Sequence, residues 1–188
     1  MIYPIKYYII VICYTLSSFY NYYCIWGNKK YYGGVKSMSE KSCCFCGHRF
    51  VFQNINDKVR EIITDLVENK GVTVFYTGHM GDFDELCESI VRNLKSCHRN
   101  IKIYWVIPYY MKRINANKEQ YSILFDEIIS PDFGDVHYKQ AIKMRNQWLV
   151  DNSDIIICYV KQDGGAYKTK KYAENLVRSR LPAYDSWR

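Results

Sequence analysis

The stretch VTVFYTGHMGDFDELCESIVRNL, residues 72–94, joins a run of β-branched and aromatic residues to an amphipathic helix across one glycine-bearing turn. Val72–Tyr76 has the composition and length of a buried strand. Its exit, Thr77-Gly78-His79-Met80-Gly81-Asp82, leads into a helix from about Asp84 that buries Leu86 or Cys87, Ile90, Val91 and Leu94 on one face. A strand, a glycine turn and a helix in that order predict a parallel sheet with crossover helices.

The same alternation runs outward in both directions. Upstream, Ser42–Cys46 reads as the first strand, followed by a helix with Val59, Ile62, Ile63, Leu66 and Val67 on one face, Asn56 or Asp57 as its cap and Gly71 as its stop. Downstream come a strand at Ile101–Ile107 closed by Pro108, a helix near Lys118–Phe125, a short strand around Ile128-Ile129, and a helix from about Tyr138 to Val150. Asp154–Val160 is the most apolar strand and is expected to be central. Gly164-Gly165 opens the last helix, Lys168 to about Arg180. The pattern predicts a single domain of the α/β class, a Rossmann-like, doubly wound, mainly parallel sheet spanning residues 38–188.

Residues 1–37 stand apart. Nine of the nineteen tyrosines and four of the seven net positive charges fall there, with no acid. Tyr7 to Trp26 is uncharged and long enough for a membrane span, but Tyr dominates it, with Asn and Ser inside, and no small-residue cleavage site follows. Ile, Tyr, Asn, Lys and Phe are the residues of AT-rich codons, and Gly33-Gly34-Val35 is compatible with a purine-rich ribosome-binding sequence ahead of Met38. The expected reading is a translated leader with Met38 as the start and a cytoplasmic protein. The alternative is a hydrophobic anchor through residues 7–26.

The charge left on residues 38–188 is +3, an ordinary solvated surface with no one-faced basic stripe, so nucleic acid is not an expected partner. Eight cysteines in 188 residues are too sparse for a disulfide framework and read as reduced thiols. Cys43, Cys44, Cys46 and His48 lie on one strand and its exit, where alternation sends them to opposite faces, and no second ligand pair follows. No metal and no cofactor are expected.

Ligands of open parallel sheets bind beyond the carboxyl ends of the strands. Four exits carry the candidates: Gly47-His48-Arg49, with a guanidinium suited to phosphate; Thr77-Gly78-x-x-Gly81 before a helix; Pro108-Tyr109-Tyr110, with an aromatic that stacks on a base or covers the core; and Asp163-Gly164-Gly165-Ala166 before the last helix. Asp82 and Asp84 serve as plain helix caps in the simplest reading. Arg145 is divided between a structural pairing with Asp151 or Asp154 and a phosphate contact. His48 is either a proton donor or a loop residue that caps, and Asn146 and Ser153 are expected at helix ends.

These segments resemble the SLOG superfamily of Rossmann-like proteins, which includes the DNA-processing protein Smf and the cytokinin-activating LOG phosphoribohydrolases. The likeness rests on residues 43–49, 75–84 and 143–154 and on Gly164-Gly165-Ala166. It covers nearly all of residues 41–175 and is strongest to small bacterial members. It implies a nucleotide-like ligand held by the glycine loops, with Gly47, Arg49, Gly78, Gly81, Arg145, Gly164 and Gly165 at the pocket. His48 and Thr77 join them as candidate ligand-binding residues on the same exits. LOG enzymes carry Pro-Gly-Gly-x-Gly-Thr-x-x-Glu at the last loop, whereas here the proline position is Asp163, the third glycine is Tyr167 and the glutamate is Lys171.

A lysine where acid or base work is expected argues against hydrolysis. The expected function is therefore binding or sensing of a phosphorylated nucleotide derivative, a small-molecule partner, with homo-oligomerisation left open. Its rivals are an N-glycosidic or phosphoribosyl hydrolase using Asp82, Asp84 or Glu174, and an Smf-like binder of single-stranded DNA.

Overall fold

The computed structural model describes residues 5–14, 20–29, 40–52 and 54–180. Five parallel strands carry the domain: β3 (Lys41–Gly47), β4 (Val72–Thr77), β5 (Lys102–Val106), β6 (Glu127–Ile129) and β7 (Ile155–Tyr159). Their order is β7-β3-β4-β5-β6. The helices are α1 (Asn56–Glu68), α2 (Asp82–Lys95), α3 (Lys112–Ala116), α4 (Lys118–Leu124), α5 (Tyr138–Asp151) and α6 (Gly165–Arg180). The chain runs outward from β3 to β6, then returns to lay β7 on the other side of β3.

That reversal winds the sheet on both faces. One apolar layer joins Cys43, Phe45 and Phe75 to Val59, Ile63 and Ile90 of α1 and α2. The other joins Cys44, Cys46, Ile156 and Cys158 to Leu149 of α5 and Ala173 of α6. The period-2 alternation of β3 therefore divides its cysteines between two cores, as the sequence predicts.

β7, the strand expected to be central, is an interior strand paired in parallel on both sides. One feature was not expected. Residues 5–14 (β1) and 20–29 (β2), within the segment read as leader, form an antiparallel pair, and β1 adds in parallel to the free edge of β7, with Ile9 opposite Ile156. A strand edge presents unpaired amides and carbonyls, and a Tyr- and Ile-rich segment has the propensity to cover it. No described helix is long and apolar enough to cross a membrane.

Three hydrogen bonds mark the start of the β3–β7 pairing. Asp154 Oδ2 accepts from the Ser42 amide at 2.9 Å and its hydroxyl at 3.0 Å, and the Asp154 amide donates to the Ser42 carbonyl at 3.0 Å. We propose that residues 38–188 are a self-sufficient folding unit, since among the residues whose burial is described the buried members of both apolar layers lie between Cys43 and Ala173, with Ile10 of β1 packed against one of them only partly buried. A chain starting at Met38 is expected to give the far-ultraviolet spectrum of a mixed α/β fold and a cooperative melt. An insoluble or non-cooperative product would mean that the hairpin is integral to the sheet.

Candidate functional site

β3 and β7 are the adjacent strands at which the winding reverses, and the crevice beyond their carboxyl ends is where an open α/β sheet accepts a ligand. A cavity of about 420 Å³ lies there. Its wall takes in Gly47, His48 and Arg49 from the β3 exit, Gly78 from the β4 exit, Arg145 from α5 and Gly164-Gly165 from the β7 exit. Of the residues singled out from sequence, Thr77 and Gly81 do not reach it.

Arg145 is the central side chain. It is 3% exposed, and with Asp84 and Glu88 it is one of three buried charged side chains among the described residues. Nη2 donates to Met80 Sδ at 3.0 Å and Nη1 reaches the Val106 carbonyl at 3.4 Å. Nε is buried without a partner, and Arg145 forms no ion pair among the described residues. Burial pulls its pKa down and the charge of Asp84 opposes that shift. A guanidinium nonetheless stays protonated in proteins. The structural pairing weighed for Arg145 is not made. Asp154 is taken by Ser42, and Asp151 accepts from the Tyr172 hydroxyl at 3.0 Å.

The glycines of the β4 exit make room for protein rather than for ligand. A Cβ on Gly78 would lie 1.8 Å from Arg145 Nη1, so the missing side chain is the space the guanidinium occupies. Gly81 has φ +123°, and a Cβ there would meet the Arg49 backbone at 2.5 Å. Gly165 is different. It is the first residue of α6, it lies on the cavity wall, and a Cβ on it would meet nothing within 4 Å.

The two helix starts also differ in charge. α2 carries Asp82, Asp84 and Glu85 in its first turn, which already satisfies the positive end of its dipole. α6 has no acid in its first turn, and Gly164 and Gly165 lie on the cavity wall. Of the two, the α6 start is the helix end whose dipole meets no carboxylate of its own first turn.

The β4 exit is held from below by a network that sequence reasoning missed. Glu88, 1% exposed, accepts from the Thr77 hydroxyl at 2.6 Å and lies 2.9 Å from His79 Nδ1. The hydrogen bond to Glu88 raises the His79 pKa against the opposing effect of burial. His79 sits at φ 50° with its ring edge-on to Trp105 and Phe125, and Trp105 Nε1 donates to the Gly78 carbonyl at 3.2 Å. Thr77 thus supports the loop from beneath, off the cavity wall. The available signal was Asp84, Cys87, Glu88 and Val91 at helical spacing, two acids on a stripe that is otherwise buried.

His48 ties two exits together. Its Nε2 accepts from the Lys161 amide at 2.6 Å and lies 3.2 Å from the Gln162 amide. Burial lowers its pKa, with Lys161 adding to the shift, so the ring is a neutral acceptor and not a proton donor through that nitrogen. Asp82 does what a cap does, but for the neighbouring loop: its amide donates to the Arg49 carbonyl at 2.9 Å and its Oδ2 accepts from the Val51 amide at 3.0 Å. Asn146 sits mid-helix in α5 and donates to Thr169 at 3.2 Å, while Ser153 bonds the Leu149 carbonyl at the helix end.

Among the acids weighed for catalysis, Asp84 alone lines the cavity. Burial lifts its pKa to about 6 despite a hydrogen bond from the Met80 amide and the charge of Arg145. Glu174 pairs with Lys170 at 2.7 Å. Lys171 lies 5.4 Å from the Tyr167 ring and does not reach the cavity. Tyr109 and Tyr110, considered for base stacking, are also off the wall. The exposed aromatics on it are Phe50 and Phe52.

The reversed five-strand order and the glycine exits on one sheet edge define a Rossmann-like domain. The family described as YspA SLOG (YpsA) matches residues 40–182. The chain belongs to that family. Among solved structures it is similar to TM1055, a structural-genomics target, at 15% identity with a TM-score of 0.48, covering 72% of this chain and 69% of that one. No curated protein sequence matches it.

Gly78→Ala is expected to force Arg145 out of its place and cost about 1–3 kcal/mol of stability. Gly165→Ala, on a helix in open space, should instead gain up to about 1 kcal/mol. Urea melts of the two variants check the contrast.

Proposed function

We propose that this chain binds a phosphorylated nucleotide derivative, with a phosphoryl group between the amide end of α6 and Arg145. The observation that carries the reading is the buried guanidinium itself. A charge taken out of water is costly unless paired, and Arg145 has an orphaned Nε and no carboxylate partner among the described residues. An anion in the adjoining cavity would supply the missing charge, and a helix start without acids complements it. The volume of about 420 Å³ lies in the range of small-ligand pockets. Family membership supports a nucleotide-related role at the level of the fold.

A second reading, hydrolysis of the ribose–base bond, draws on Asp84. A carboxyl with a pKa of about 6 on the cavity wall suits general acid work near neutrality. Chromatography for free base after incubation with AMP separates turnover from binding alone.

The test of binding is calorimetry against inorganic phosphate, AMP, ADP and ADP-ribose. Arg145→Met, which keeps the volume and removes the charge, is expected to weaken a phosphorylated ligand by about 1.5–3 kcal/mol. Gly165→Val should weaken it by obstructing the α6 amides while the melting temperature holds. Arg49→Ala, at the exposed rim, should cost less than about 1 kcal/mol. Affinities unchanged in both Arg145→Met and Gly165→Val would place the anion elsewhere.

Affinity should also depend on pH through Asp84. Its folded pKa is raised, so it is neutral below about 6 and becomes an anion facing the ligand as pH rises through 6. Binding is therefore expected to weaken across that window in the native chain relative to Asp84→Asn. Phosphomonoesters titrate in the same range, which makes the difference between the two proteins the readout.

A further inference from the structure

We infer that Phe50 and Phe52 form a platform for a nucleobase at the mouth of this cavity, so that the ligand is recognised by an aromatic ring as well as by its phosphate. The inference rests on the reading of the cavity as an anion site and specifies its other end. Phe50 is 62% exposed and Phe52 91%, both on the cavity wall, with ring centroids 6.3 Å apart. One exposed phenylalanine needs no explanation, but two adjacent rings beside a site do.

The loop is not free to bury them. Between the two rings, Val51 turns inward onto the apolar layer under α1 and α2. Its amide is held by Asp82, and the Arg49 carbonyl by the Asp82 amide. At the loop's start, His48 is fixed to the amides after β7. With the backbone pinned on both sides of Phe50 and Val51 directed to the core, alternation leaves both phenylalanines facing out. The polar end of the cavity, at Arg145 and α6, and the aromatic rim then match the two ends of a nucleotide, an anion and a flat apolar ring. Stacking is tolerant of base identity because every base presents a π-face. The platform therefore recognises a base without choosing among them, and Tyr109 and Tyr110 take no part.

The experiment compares AMP, ribose 5-phosphate and inorganic phosphate by calorimetry on the full chain, native and with Phe50→Ala, Phe52→Ala and the double substitution. Native protein is expected to bind AMP at least about tenfold more tightly than ribose 5-phosphate, the scale of one stacked base. The alanine variants should lose that preference, with the loss falling on AMP and not on ribose 5-phosphate, while Phe52→Trp keeps it. Equal affinity of the native chain for AMP and ribose 5-phosphate would overturn the platform and leave the anion site standing. So would a preference that survives the double substitution. Variants that change the oligomeric state by light scattering and leave base preference intact would assign the rings to a second copy of the chain and also overturn it. Failure of all three probes to bind would overturn both readings together.

Discussion

A buried arginine without a carboxylate is the constraint around which the carboxyl edge of this sheet is arranged. Arg145 enters from α5, across the sheet from the helix that carries Asp84, and it fits only because residue 78 has no side chain. Everything that fixes the β4 exit serves that fit. Trp105 holds the Gly78 carbonyl, Met80 supplies a soft acceptor, and Glu88 anchors both Thr77 and His79 beneath the turn. These contacts restrain the guanidinium without neutralising it. Its charge is left to be balanced by Asp84, whose own ionisation burial suppresses, or by something entering the cavity.

The location follows from topology. A chain that winds outward from β3 and then returns to place β7 beside it parts its connections at that pair of strands, and no crossover helix covers the crevice. The two exits meeting there are bridged by His48, whose neutral ring accepts from the amides after β7. The β7 exit is consequently fixed relative to β3 where it runs on to Gly164 and Gly165 on the cavity wall. The distribution of acids divides the labour between helix starts, since α2 meets its own dipole with three carboxylates and α6 with none.

Much of this fold was legible in the sequence because its elements alternate cleanly between period 2 and period 3.6. Five strands and the longer helices lie within a few residues of their expected bounds. The exceptions have physical reasons. α3 is five residues with one buried position, Ile114, too short to show a period. The hairpin of β1 and β2 was hidden because Tyr and Ile are equally the residues of an AT-rich leader and of a strand. At the site, glycines announced loops but not whose space they made. Gly78 and Gly81 make room for Arg145 and Arg49, a fact about partners distant in sequence. Arg145 was sought beside Asp151 and Asp154, its neighbours in the chain, whereas the acid that most affects it, Asp84, is on another helix.

The departures from the LOG pattern take on a sense from these positions. Lys171 stands at the glutamate position of that pattern, and the lysine lies against the Tyr167 ring and off the cavity wall. An acid in the first turn of α6 would compete with the proposed phosphoryl group for the same amides, and that turn has none. The buried carboxyl on the wall belongs instead to α2 and is held largely neutral up to a pH of about 6 by the surroundings that bury it. A site built this way concentrates positive potential at one place, from Arg145 and the α6 dipole. Its nearest buried acid is one that becomes neutral more readily than an exposed carboxylate when an anion approaches. That division suits binding, because Arg145 is held in place by Met80 and the Val106 carbonyl and the acid that would oppose the ligand can take up a proton.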